Sequence, residues 1–124
     1  MLRRLARDRR GVAAVEFALL APVFLALLLG AVETGRLMWT RSMLQFAAEE
    51  AARYALVRSD ATSTAIEAVA RANIMAAGGA VTVTVTSNSD EIQVQLDQNY
   101  VFLVQGLLPF GAVQLQGLSR MPKR

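Results

Sequence analysis

The chain changes its hydrophobic period three times, and each change predicts an element. From Val12 to Val32 apolar residues run almost without interruption. A helix over those residues reaches about 31 Å at roughly 1.5 Å per residue, which matches the hydrocarbon core of a bilayer. From Glu33 to Arg58 there is no proline, and Leu37, Leu44, Ala48, Ala51 and Ala55 fall on one narrow stripe at helical spacing. The stripe is rich in small residues, which permits close approach of another element, in this domain or in another subunit. Together the two segments predict one long helix. Glu49 and Arg53 stand four apart in the order that favours an ion pair along it.

"SDATSTAIEAVARANIMAAGG" then predicts a break and a second, shorter helix. Thr64 with Glu67 fits a capping box at its start, and Gly78-Gly79 fits its end. Ile66, Val69, Ala70 and Ile74, with Ala77 as a further member, repeat at helical spacing. Next the period drops to two. Val81, Val83 and Val85 alternate with threonines, "SNSD" makes a turn, and Ile92, Val94 and Leu96 form the returning arm of a hairpin. "NYVFLV" extends that arm, with a bulge expected near Asp97 to Asn99. Pro109 and Gly111 mark a turn, Val113 and Leu115 a third strand, and "SRMPKR" a frayed tail. The expected fold class is α+β: a long N-terminal transmembrane helix continuing into an amphipathic helix, a second helix, and a small antiparallel sheet of about three strands. The helix and the apolar face of the sheet would cover each other. Such a small core is marginal alone, which makes association with partners plausible.

Charge fixes the orientation. The first ten residues hold five arginines against one aspartate, while the rest of the chain carries eight basic and nine acidic residues. The pI near 10.2 therefore reports a short leader and not a basic surface, so nucleic-acid binding is not expected. Positive charge stays in the cytoplasm, which places the N-terminus there and the remainder outside. The expected divisions are a basic cytoplasmic leader over 1–11, a transmembrane helix over 12–32 and an exported domain over 33–124.

Hydrophobic residues make up 54% of the chain. The span holds twelve Val, Leu or Phe residues, each favouring insertion by roughly 0.3 to 0.6 kcal/mol. Glu16 opposes it by at most about 3 kcal/mol, and by less near an end. Insertion wins. Pro22 is tolerated in such a helix but loosens the turn around Ala18. A cleaved secretory signal shares the basic start and apolar run. The length of this run, the lack of an A-x-A-like site after it and helix-forming sequence through the exit favour a retained anchor. Trp39, beyond the exit, would touch the interface or pack on the exported domain.

Cysteine and histidine are both absent. That removes disulfides, the thiolate nucleophile, the usual general base and the usual zinc ligands. No Gly-rich phosphate loop or paired carboxylates appear, and Asp90-Glu91 falls in a turn. Neither catalysis, nor a metal or other cofactor, nor a small-molecule substrate is expected.

What remains is Glu16 itself. Its spacing fits equally a carboxylate that reaches the headgroups and one with a function inside the membrane. Basic residues, then Gly11, then "VAAVEF" resemble a type IV prepilin processing site. More specifically, "RDRRGVAAVEFALLAPVFLALLLGAVETGRLMWTRSMLQFAAEEAARYA" resembles the TadE-like family, pseudopilins of the Flp or tight-adherence pilus. The resemblance implies a pilin-like architecture and cutting between Gly11 and Val12 by a prepilin peptidase. It also implies a role for Glu16, with Phe17 beside it, in pairing with the new Val12 amine or a neighbouring subunit's amine and so setting register. The partners implied are membrane lipid, the peptidase, other pilin or pseudopilin subunits and pilus assembly proteins, at the bacterial inner membrane. The implied function is a minor pilin-like subunit acting in assembly or anchoring of that pilus. The alternative is an unprocessed single-pass anchor whose exported domain contacts another envelope protein.

Overall fold

A computed structural model describes residues 9–74, 79–103 and 111–123 of the chain. Arg3, Arg4 and Arg7 of the leader, Ala77 and Gly78 at the expected end of the second helix, Val104 of the "NYVFLV" run, and Pro109 of the expected turn lie outside the described residues. The element order is α1 (Arg9–Val57), α2 (Ser63–Ala72), β1 (Val81–Ser87), β2 (Glu91–Tyr100) and β3 (Val113–Pro122). This is the pilin-like α+β arrangement: a long N-terminal apolar helix, a short helix, and a three-stranded antiparallel sheet packed against helix. α1 runs unbroken through Pro22. The chain divides into two compact units at Gly35/Arg36.

In the unit from Arg36 onward, the strands lie in the order β1-β2-β3. The hairpin keeps one register from Val81↔Gln98 to Ser87↔Ile92, closed by Asn88 N–H donating to Glu91 C=O at 2.9 Å. The inward face follows the predicted alternation: Val83, Ile92, Val94, Leu96 and Leu115 are buried. Against them lie Leu44, Ala47, Ala48, Ala51, Ala52 and Ala55 of α1 and Ile66 and Ala70 of α2. The outward face of the same strands is polar. There Asp97 accepts from Gln95 Nε2 at 2.8 Å and from Gln116 Nε2 at 3.2 Å across the β2–β3 ladder.

Helix and sheet meet most closely at Gly117. A Cβ built there would stand 2.5 Å from the backbone C and O of Leu44 and 2.8 Å from Gln45 N. Only a residue without a side chain lets the strand come this near. Beside it, Gln45 Nε2 donates to Leu118 C=O and Leu118 N–H donates to Gln45 Oε1, both at 3.1 Å. One side-chain amide thus joins helix to strand with two bonds.

Four local expectations are corrected. First, the cap of α2 is Thr62, not Thr64 with Glu67: its Oγ1 accepts from Ala65 N–H at 3.3 Å. Second, α2 stops at Ala72 rather than at the glycine pair. Asn73 closes it, donating from its backbone N–H to Ala70 C=O at 3.2 Å and from Nδ2 to Val69 C=O at 2.9 Å. A short polar side chain that satisfies the last carbonyls competes with further turns. Third, β2 has no bulge at 97–99, because Gln98 takes the inward position of the alternation and is 2% exposed. Fourth, the tail is not frayed through Pro122. β3 pairs to Glu91↔Pro122, and Lys123 follows with its N–H on Asp90 C=O at 2.8 Å and its Nζ on Ser87 Oγ and Asn88 C=O, each at 2.7 Å.

Candidate membrane and processing segment

The residues singled out at the N-terminal end sit on successive turns of α1. Gly11 and Val12 lie in its first described turn, and Glu16 and Phe17 one turn further on. Val12 and Glu16 are four residues apart, so they share a helix face. All four are exposed, Phe17 to 73%. A side chain at Gly11 would meet nothing within 4 Å. Among the described residues, nothing in the packing asks for glycine there.

The apolar run is bare along its length. Leu19, Leu27 and Phe24 are each at least 66% exposed, and Leu29, among the best covered, is still 43% exposed. α1 is long and apolar enough to cross a membrane, and none of its most apolar stretch is buried within the chain. In water each such side chain forgoes the roughly 1.5–3 kcal/mol that burial returns. Thr34, near the end of the run, turns its hydroxyl back onto Gly30 C=O at 2.8 Å and so satisfies itself within the helix.

The small-residue stripe has a different fate. Leu44, Ala48, Ala51 and Ala55 lie in the core of the second unit and Leu37 is half-buried against it. Their partner is the sheet and α2 of this same chain. Glu49 accepts from Gln45 Nε2 at 2.9 Å. Trp39 is 72% exposed and borders a surface hollow with Phe46 of α1 and Ala72 and Asn73 at the end of α2, and Met38 is 62% exposed.

Several contacts went unsignalled in the pattern of apolar residues. The Arg36 guanidinium stands 5.7 Å above the Tyr100 ring, a cation–π distance, and Phe102 meets the same ring edge-on at 5.4 Å. Gly117 and Gln45 were missed too, although a glycine inside a strand is itself a sign of close backbone approach. Among the described residues no three carboxylates converge where a metal ion would sit.

No curated protein and no solved structure matches the chain. What likeness there is lies in α1, the helix that carries Gly11 and Glu16. Residues 11–53 match the model of the TadE-like protein family.

Proposed function

We propose that this chain is a pseudopilin: a minor, non-catalytic subunit that helps assemble or anchor a Flp/Tad-type pilus. The observation that carries the reading is the family match over residues 11–53 on a helix whose apolar surface is covered by none of the described residues. In this reading residues 12–32 sit in the bacterial inner membrane, the arginine leader stays in the cytoplasm and the sheet domain is exported. The partners are lipid, a prepilin peptidase, and other pilin or pseudopilin subunits.

The chemistry proceeds in two steps. The peptidase hydrolyses the Gly11–Val12 bond, and glycine suits that place because it weakens the helix by about 1 kcal/mol relative to alanine and eases local unwinding. Hydrolysis leaves an amine on Val12, one turn from the Glu16 carboxylate. In hydrocarbon the pair attracts far more strongly than in water, but both groups are first desolvated, so the pair serves register more than stability. Phe17 adds an apolar contact beside it.

Intact-mass measurement of the chain purified from membranes tests this. In cells with an active prepilin peptidase the mass should fall by that of Met1 to Gly11, and Gly11→Leu should restore the full mass and abolish assembly. Retention of the leader in such cells would leave the unprocessed single-pass anchor as the better reading.

A further inference from the structure

Where α1 ends and β1 turns into β2, a cleft of about 200 Å³ opens in the second unit. Its floor is apolar: Ala55 and Leu56 of α1, Ile66 of α2 and Ile92 of β2. Its rim is cationic and hydroxylic: Arg58, Lys123, Ser59 and Ser87. Among the described residues no carboxylate side chain lines it, although Asp60 is the chain neighbour of two lining residues. We infer that this cleft binds a small carboxylate with a short apolar body, its charge held by Arg58 and Lys123 and its carbon chain on Leu56, Ile66 and Ile92.

The donors are set up for it. The Lys123 ammonium spends two hydrogens, on Ser87 Oγ and Asn88 C=O at 2.7 Å each, which fixes its position. An ammonium has three donors, so one remains. The Arg58 guanidinium lies over the Tyr54 ring at 5.3 Å from its centroid. A ring contact of this kind spends no hydrogen bond, so the N–H groups remain to form the fork that matches a carboxylate. α2 also begins here, with Ala61 on the wall and Thr62 as its cap, and its N-terminal end favours negative charge. Size limits the ligand. At about 200 Å³ the cleft suits a short acid and not a drug-sized molecule. That group is found free, as a branched short-chain acid, or as the last residue of a polypeptide ending in leucine or valine.

Both sources are tested on the full chain in a nonionic detergent micelle, by following amide resonances during titration. The probes are isovalerate, and a short peptide ending in leucine with its terminus free or amidated. Saturable shifts at Ser59, Ser87 and Lys123 are expected with isovalerate and with the free-acid peptide, and none with the amide. Tighter binding of the free-acid peptide than of isovalerate identifies a polypeptide end as the source. The reverse order identifies a free acid. Arg58→Gln should weaken binding about three- to fivefold, in keeping with a partly exposed charge pair. Arg58 is exposed and its backbone bonds do not depend on its side chain, so this variant keeps the fold even if Lys123→Gln loosens the strand end. Shifts that stay linear with concentration, or that persist unchanged in R58Q, would overturn the inference. The result is independent of whether the leader is cleaved.

Discussion

Replacing Gly117 by alanine tests the closest helix–sheet approach in the domain. The added Cβ would stand 2.5 Å from Leu44 C and O, whereas ordinary contact begins near 3.4 Å. The obstacle is backbone, so β3 and α1 have to separate by about 0.9 Å. Two bonds now at 3.1 Å, between Gln45 and Leu118, would then exceed bonding range. Losing them costs about 0.5–1.5 kcal/mol each, and forcing the packed faces apart costs about 1–3 kcal/mol more. Reduced freedom of the unfolded chain returns about 0.4–1 kcal/mol. A net loss of about 1–5.5 kcal/mol remains, which lowers the melting temperature of a unit this size by about 4–45 °C. The assay is thermal and urea unfolding of the full chain in micelles, followed by the circular dichroism of the sheet. Gly111→Ala, at a site where a Cβ meets nothing within 4 Å, is the control and should stay within about 0.5 kcal/mol of the parent. In a Gln45→Ala background, where both bonds are already gone, Gly117→Ala should cost at least about 0.5 kcal/mol less, because the two sites share one contact. A Gly117→Ala protein as stable as the parent would refute the close approach.

Four further substitutions separate neighbouring claims. Gln98 is buried and its Oε1 has no partner among the described residues, so Gln98→Met should stabilise the domain by about 1 kcal/mol in urea unfolding; a loss would mean the amide is bonded. Thr62→Ala should cost about 0.5–2 kcal/mol and Thr64→Ala almost nothing, and the opposite order would return the cap to Thr64. Leu96 is fully buried at the centre of β2, and Leu96→Ala should cost about 2–5 kcal/mol by the same unfolding measurement.

The parts legible in the sequence are those set by periodicity. Val81, Val83 and Val85 with Ile92, Val94 and Leu96 gave the two arms of the hairpin, and the register that the structure adds keeps the valines inward, where a slip of one residue would turn them out. The alanine stripe gave the buried face of α1, but not its partner, because a small-residue face suits a sheet as well as another helix. What escaped was decided by single polar groups. Gln98 reads as a break in the alternation, yet the pairing of β2 on both sides carries it inward without a bulge. Asn73 ends α2 through two hydrogen bonds that hydropathy does not register. "SRMPKR" reads as a solvated tail, and one ammonium on the turn of the hairpin holds it in place.

The two units answer the question of association differently. In the unit from Arg36 onward, Leu44, Ala48, Ala51 and Ala55 are already covered by the chain's own sheet and α2, so that face offers nothing to a neighbouring subunit. The apolar residues of 12–32 are covered by none of the described residues. At about 1.5–3 kcal/mol for each of the twelve Val, Leu and Phe side chains, covering them is worth about 20–35 kcal/mol, several times the stability of a small domain. Lipid supplies that cover as well as a second helix does, so apolarity alone gives no reason for subunits to meet along this surface. Specific contact there has to come from what lipid cannot match. Glu16 is the one charged group in that stretch, and Gly30, which bears no side chain, is a place where another backbone can come close.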